Sequence, residues 1–139
     1  MPPAQYARRA DELCRREIVR LTDLRVRQRL HKIQVSAGTE EEKLARAAPV
    51  LAEQLRVISE FRRDFELLGW PSAHRDDAEA LISKTSSAEK ELQRVIDAGR
   101  SGDAAKAGDA LRRYYGFATQ SASIARDSKL NFAICGSGA

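Results

Sequence analysis

"EEKLARAAPVLAEQLRVISEFRRDFELLGW", residues 41–70, decides the fold class. Leu44, Ala48, Leu51, Leu55, Ile58, Phe61, Phe65 and Leu68 recur at steps of three and four, the spacing that lines one face of an α-helix. Pro49 falls inside this stripe, removing a backbone donor, so the helix is expected to kink there or to break with Pro49 opening a new segment. Gly69 and Pro71 oppose continuation, and Asp76 or Asp77 is placed to cap the next helix.

The same periodicity extends in both directions. A first helix over about residues 6–35 puts Tyr6, Ala10, Leu13, Cys14, Leu21 and Leu24 on one face, with Ile18 at the margin. Val19, Val26, Leu30 and Ile33 fall on another face, which calls for two partner surfaces or a bend near Thr22. "SAGTEEE" follows, in which Gly38 suits a helix end and Thr39 with Glu42 forms a capping box that opens a second helix over about 40–68. A third, about 77–98, carries a heptad-like seam of Leu81, Thr85, Ala88, Leu92 and Val95. In "AGRSGD" Gly99 is the expected terminator and Asp103 the cap of a fourth helix over about 104–127, which buries Ala107, Leu111, Tyr114 or Tyr115, Ala118, Ala122 and Ala125. Four helices with short links predict an all-α, up-down-up-down four-helix bundle in one domain, followed by a C-terminal segment over 128–139.

Composition agrees. The 139 residues suit one domain with a true core, and 32% charged with only 6% aromatic residues favours helix over strand. No apolar run approaches the ~18 residues of a membrane span, and "MPPAQYARRADEL" has no signal-peptide apolar region, so the sequence as it stands reads as a soluble chain. The net charge of +4 is unevenly placed: residues 1–36 hold nine Lys/Arg against four Asp/Glu, the remainder fifteen against sixteen.

Candidate chemistry is sparse. A di-iron bundle needs Glu-x-x-His pairs, whereas Gln28 and Pro71 precede His31 and His74 by three residues, so no metal is assigned. "GRSGD" lacks the Lys-Ser/Thr of a phosphate loop, and neither cysteine is marked as an activated nucleophile, so neither a cofactor nor catalysis is expected. Arg9, Arg16, Arg20 and Arg27 form a basic ridge ~27 Å long, continued by His31. That ridge is a candidate contact for an anionic membrane surface or for nucleic acid, against the simpler reading of a solvated face paired with Glu12, Asp23 and neighbouring acids. Aromatic interleaving is absent and no helix-turn-helix signal stands out, which disfavours nucleic acid. Trp70 is a candidate partner contact or a cap on the bundle end, and Tyr114, Tyr115 and Phe117 cannot all face inward, so one is available to a ligand between helices.

Two cysteines remain. Cys14 lies near the start of the first helix and Cys135 a few residues past the fourth, and in this topology those ends coincide, so the two are able to meet. Two buried reduced thiols in a cytosolic protein are the alternative.

Four stretches, "YARRADELCRRE", "ARAAPVLAEQL", "IDAGRSGDAAKAGDAL" and the closing "ICG", together resemble a family of small extracytoplasmic helical-bundle proteins of actinobacteria, often lipoproteins or single-span anchored proteins. The resemblance implies pairing of Cys14 with Cys135, a precursor that is membrane-anchored or secreted, and no catalytic residues to carry over. The sequence departs from that pattern in lacking a lipobox or anchor, and in a longer, more polar "RDSKLNFAICG" than the family's compact ending. With the pairing, Leu130, Phe132 and Ile134 alternate as in an extended strap laid along an apolar surface, leaving the final Gly-Ser-Gly-Ala as spare chain. The functional expectation is a non-enzymatic extracytoplasmic module that binds a protein or small-molecule partner. A cytoplasmic nucleic-acid-binding regulator using the ridge is the alternative, and a sensor ectodomain with a ligand near Tyr114, Tyr115 or Trp70 the second.

Overall fold

The first helical pattern bends where its two apolar faces change over. The structure, a computed structural model, describes residues 1–137, and in it the pattern divides into α1, Pro3–Leu24, and α2, Val26–Gln34. Arg25 between them takes the left-handed conformation at φ 52°, its N–H bonding the carbonyl of Thr22. Thr22 Oγ1 also donates to the carbonyl of Ile18 at 2.7 Å, a back-bond that commonly bends helices. The bend turns Val26, Leu30 and Ile33 to partly buried positions, while Val19, still on the straight part, is exposed.

α3, Glu40–Glu66, opens as the capping box predicts, with Thr39 Oγ1 accepting from the Glu42 N–H at 3.2 Å and three glutamates in the first turn. It runs through Pro49 without a break. Both Pro49 and Ala45, whose carbonyl the proline leaves without its helical donor, lie on the exposed side, so that oxygen is not sealed in the core. α3 is also two-sided: Val50 and Val57, outside the expected stripe, are buried as well, because α3 packs against α1 and α2 on one flank and α4 on the other.

α4, Arg75–Ser101, and α5, Ala104–Asp127, complete the bundle; no strand is present among the described residues. Several local expectations need correction. His74 at φ 61° precedes α4, and neither Asp76 nor Asp77 caps it; both sit in its first turn, where Asp77 instead accepts from the Lys129 N–H at 3.1 Å. Gly99 does not end α4. It is buried within it, where an added Cβ would stand 3.1 Å from the carbonyl oxygen of Leu44, so its role is close approach of α3 to α4, and the left-handed cap is Gly102. Gly38 lies beyond the α2 terminus, which is capped by Val35. Asp103 caps α5 as expected, accepting from the Lys106 N–H at 3.0 Å.

Cross-helix pairs establish the antiparallel order. Arg20 reaches Glu60 and Arg29 reaches Glu53; Ser59 reaches Glu89 while Leu44 lies against Gly99; Thr85 meets Ser121 while Glu91 meets Arg113, so numbering falls on one helix as it rises on its neighbour. The packed neighbours are α1 and α2 with α3, α3 with α4, and α4 with α5. α1 and α5 are not a closely packed pair, so the bundle is left parted along one seam.

The core is correspondingly divided. One cluster, at the end holding both cysteines, gathers around Tyr6, Phe65, Leu81 and Leu130; the other around Leu51, Leu92, Ile96 and Tyr114. Tyr6 is fully buried, edge-on to Phe65 with ring centroids 5.9 Å apart, and its hydroxyl has no partner among the described residues.

Candidate functional site

The seam between α1 and α5 is closed at one end by the chain after α5. Leu130 is buried, Phe132 and Ile134 are partly buried and the residues between them exposed, so the alternation is realised as the strap crosses to α1. It turns at Asn131 and Gly136, both at positive φ. Cys14 and Cys135 are joined by a disulfide, with a Cα–Cα distance of 5.4 Å.

The strap has a second fastening that sequence reasoning missed. Asp11 on α1 accepts from three successive backbone N–H groups: Ala133 at 2.8 Å, Ile134 at 2.8 Å and Cys135 at 2.9 Å. Charge-assisted bonds of this kind hold backbone that has no ladder of its own. Asp11→Ala is expected to lower stability by about 1.5–3 kcal/mol, the range for hydrogen bonds to a charged group. Amide exchange at residues 133–135 should accelerate together, and retained protection there would contradict the assignment. Gly136 is a third fixed point and not spare chain: a Cβ there would come within 2.8 Å of Ala125 Cβ and 2.9 Å of the Ala122 carbonyl oxygen. Of the expected spare tail, Gly138 and Ala139 lie outside the described residues.

Between the two core clusters the parted seam leaves a cleft of about 280 Å³. α1 contributes Cys14, Glu17, Ile18 and Leu21 to its wall; Ile58 and Phe61 come from α3 and Leu81, Thr85 and Ala88 from α4. The α5 side carries Tyr114 and then only small residues, Ala118, Ser121, Ala122 and Ala125, and the strap ends the cleft with Ile134 and Cys135. Those small residues bring α5 tightly onto α4, but toward α1 they leave space unfilled. Ala118 and Ala122, expected in the packed core, are therefore partly exposed walls of the cleft.

Among the described residues Glu17 is the charged residue of this wall. It occupies an apolar-stripe position, three residues after Cys14 and four before Leu21, and among the described residues its carboxylate has no hydrogen bond or ion pair. Burial pushes it up to about 7. Tyr114 hydroxyl accepts from Gln54 Nε2 at 3.1 Å, which leaves its own proton to donate. Burial first, then the Tyr115 and Glu17 charges, push Tyr114 up to about 12, so it stays a phenol. Thr85 and Ser121 hydroxyls lie 3.2 Å apart in the wall. The signal for Glu17 was present in the sequence: a carboxylate interrupting an apolar stripe at helical spacing.

The other expected contacts are dispersed. Tyr114 faces inward while Tyr115 is exposed, their rings 5.4 Å apart. Trp70 is exposed in the turn between α3 and α4, beside Met1 and under the Arg75 guanidinium, 4.7 Å from its ring centroid, and it does not line the cleft. On the ridge, Arg9, Arg16 and Arg27 are exposed, whereas Arg20 is paired with Glu60 at 2.7 Å. Neither His31 nor His74, both exposed, lines the cleft. No helix among the described residues is long and apolar enough to cross a membrane. Comparison with known family models, curated proteins and solved structures returns no match, so the chemistry of the cleft carries the functional argument.

Proposed function

We propose that this chain is a non-enzymatic, extracytoplasmic binding module that holds a small molecule in the cleft between α1 and α5, as a sensor ectodomain does. The observation that carries the reading is the cleft itself: about 280 Å³ of mainly apolar wall that includes Glu17 and Tyr114. Ligand sites combine these features, an apolar body with a few placed polar groups. Its size suits a small molecule and not a protein segment, since a helix with side chains is about 10–12 Å across. Among the described residues Glu17 has no histidine or second carboxylate beside it in the wall, which favours binding over acid-base catalysis. The disulfide supports an oxidising compartment, where such bonds persist. Against the nucleic-acid alternative, one of the four ridge arginines, Arg20, pairs with Glu60.

N-phenyl-1-naphthylamine, an apolar dye that brightens out of water, is expected to bind the folded protein saturably at one site. Ala118→Phe and Ala122→Phe each place a ring in the cleft and should weaken that binding at least tenfold while helical circular dichroism is retained. A non-saturating signal from the parent protein, or undiminished binding by both folded variants, would refute the reading.

A further inference from the structure

We propose that the cleft selects a monovalent organic cation with an apolar body, an alkyl or arylalkyl amine, whose ammonium group pairs with Glu17 while its hydrocarbon lies between α1, α4 and α5. This rests on the reading of the cleft as a ligand site and adds its chemical class.

Charge complementarity carries the assignment. Among the described residues the wall contains one carboxylate and no lysine, arginine or histidine, so an anionic ligand would meet Glu17 with nothing there to offset the repulsion. Arg20, one turn further along α1, is held by Glu60 on α3. From α3 the cleft receives Ile58 and Phe61, from α4 Leu81, Thr85 and Ala88, and from the strap Ile134, none of them charged. Among the described residues Tyr114 on α5 is the remaining titratable group of the wall, and its neutral hydroxyl brings no competing positive charge. A carboxylate in an apolar wall without a partner is costly, and an ammonium supplies the missing counter-charge together with hydrogen-bond donors. The raised affinity of Glu17 for protons, about 7, reports the same deficit: the site takes up the smallest cation when no larger one is offered. A metal ion is a poorer match, because among the described residues no group of three or more ligating side chains converges.

The volume sets the body. An apolar cavity of about 150 Å³ accommodates benzene, so about 280 Å³ has room for a chain or ring substituent of roughly twice that bulk. Hydrocarbon would then touch Leu21, Phe61 and Leu81, with the disulfide and Ile134 as the end wall.

The test is calorimetric titration of the full chain at pH 8 with n-octylamine, n-octanol and octanoate, which share one tail and differ in head charge. Octylamine should bind at one site, at least tenfold more tightly than octanol, with octanoate weakest. Glu17→Gln should erase the preference for amine over octanol, leaving octanol binding within about threefold of its parent value. At pH 5, with Glu17 protonated, the parent protein should also lose the preference. Equal binding of all three ligands, or an amine preference that survives Glu17→Gln, overturns the cation assignment while leaving the ligand-site reading standing. Binding of none of them overturns both.

Discussion

Replacing both cysteines, Cys14→Ala with Cys135→Ala, is expected to lower stability by about 2–5 kcal/mol, the range for removing a native disulfide. The bond joins residues separated by 121 positions, and in the chain-entropy description closing so long a loop restricts the unfolded chain by about 5 kcal/mol. Because the effect acts largely on the unfolded ensemble, the urea midpoint should fall while the dependence of stability on urea steepens, as the unlinked chain exposes more surface. The thermal midpoint should drop on the order of 10 °C. An unchanged slope with a lower midpoint would place the loss in native packing instead. The cysteines are both buried and form the end wall of the cleft, so the double variant should also weaken binding there. Protein taken from its own cells and alkylated under denaturing, non-reducing conditions should yield no modified cysteine; two reactive thiols would contradict the extracytoplasmic reading.

Glu17→Gln should raise stability at pH 8 by about 1–3 kcal/mol and leave it nearly unchanged at pH 4. The folded chain holds the Glu17 proton to about 7, above its ordinary 4.5. Between those two values the folded state therefore binds more protons than the unfolded state, and stability falls as pH rises. Below that window both states carry the proton and the full stability is present; above it the penalty is constant. The amide introduced by Glu17→Gln carries no charge to desolvate, so this part of the pH dependence should vanish from denaturation midpoints measured across the range. A variant less stable than the parent at pH 8 would show that the carboxylate has a stabilising partner. An octylamine-saturated parent protein should gain stability mainly above pH 7, opposite to the effect of the empty site.

The helix pattern was legible because it is a local property. Leu44 to Leu68 repeat at three and four residues whatever they pack against, Thr39 and Asp103 cap through bonds spanning three residues, and the divergence of Val26, Leu30 and Ile33 from the Tyr6 face called for two partner surfaces or a bend near Thr22, which the structure places at Arg25. Glycine roles were less legible. Gly99 and Gly102 look equally able to end a helix, and only the approach of Leu44 makes Gly99 a contact position. Asp11 gave no signal, because its three partners lie more than 120 residues away on backbone whose course depends on the strap.

By itself, then, the sequence determined the order and approximate extent of the helical segments, though not that the first divides in two at Arg25, since hydrophobic periodicity and capping act within a few residues. It also put a carboxylate at position 17 of an apolar stripe. Whether that carboxylate would be packed, paired or left facing space was decided by tertiary structure. α5 presents alanines and a serine both to α4 and to α1; it closed on α4, and the disulfide and Asp11 fixed the strap across the opening that remained. A cleft is a difference between what facing surfaces could fill and what they do fill, and that difference exists only once the helices have chosen their neighbours.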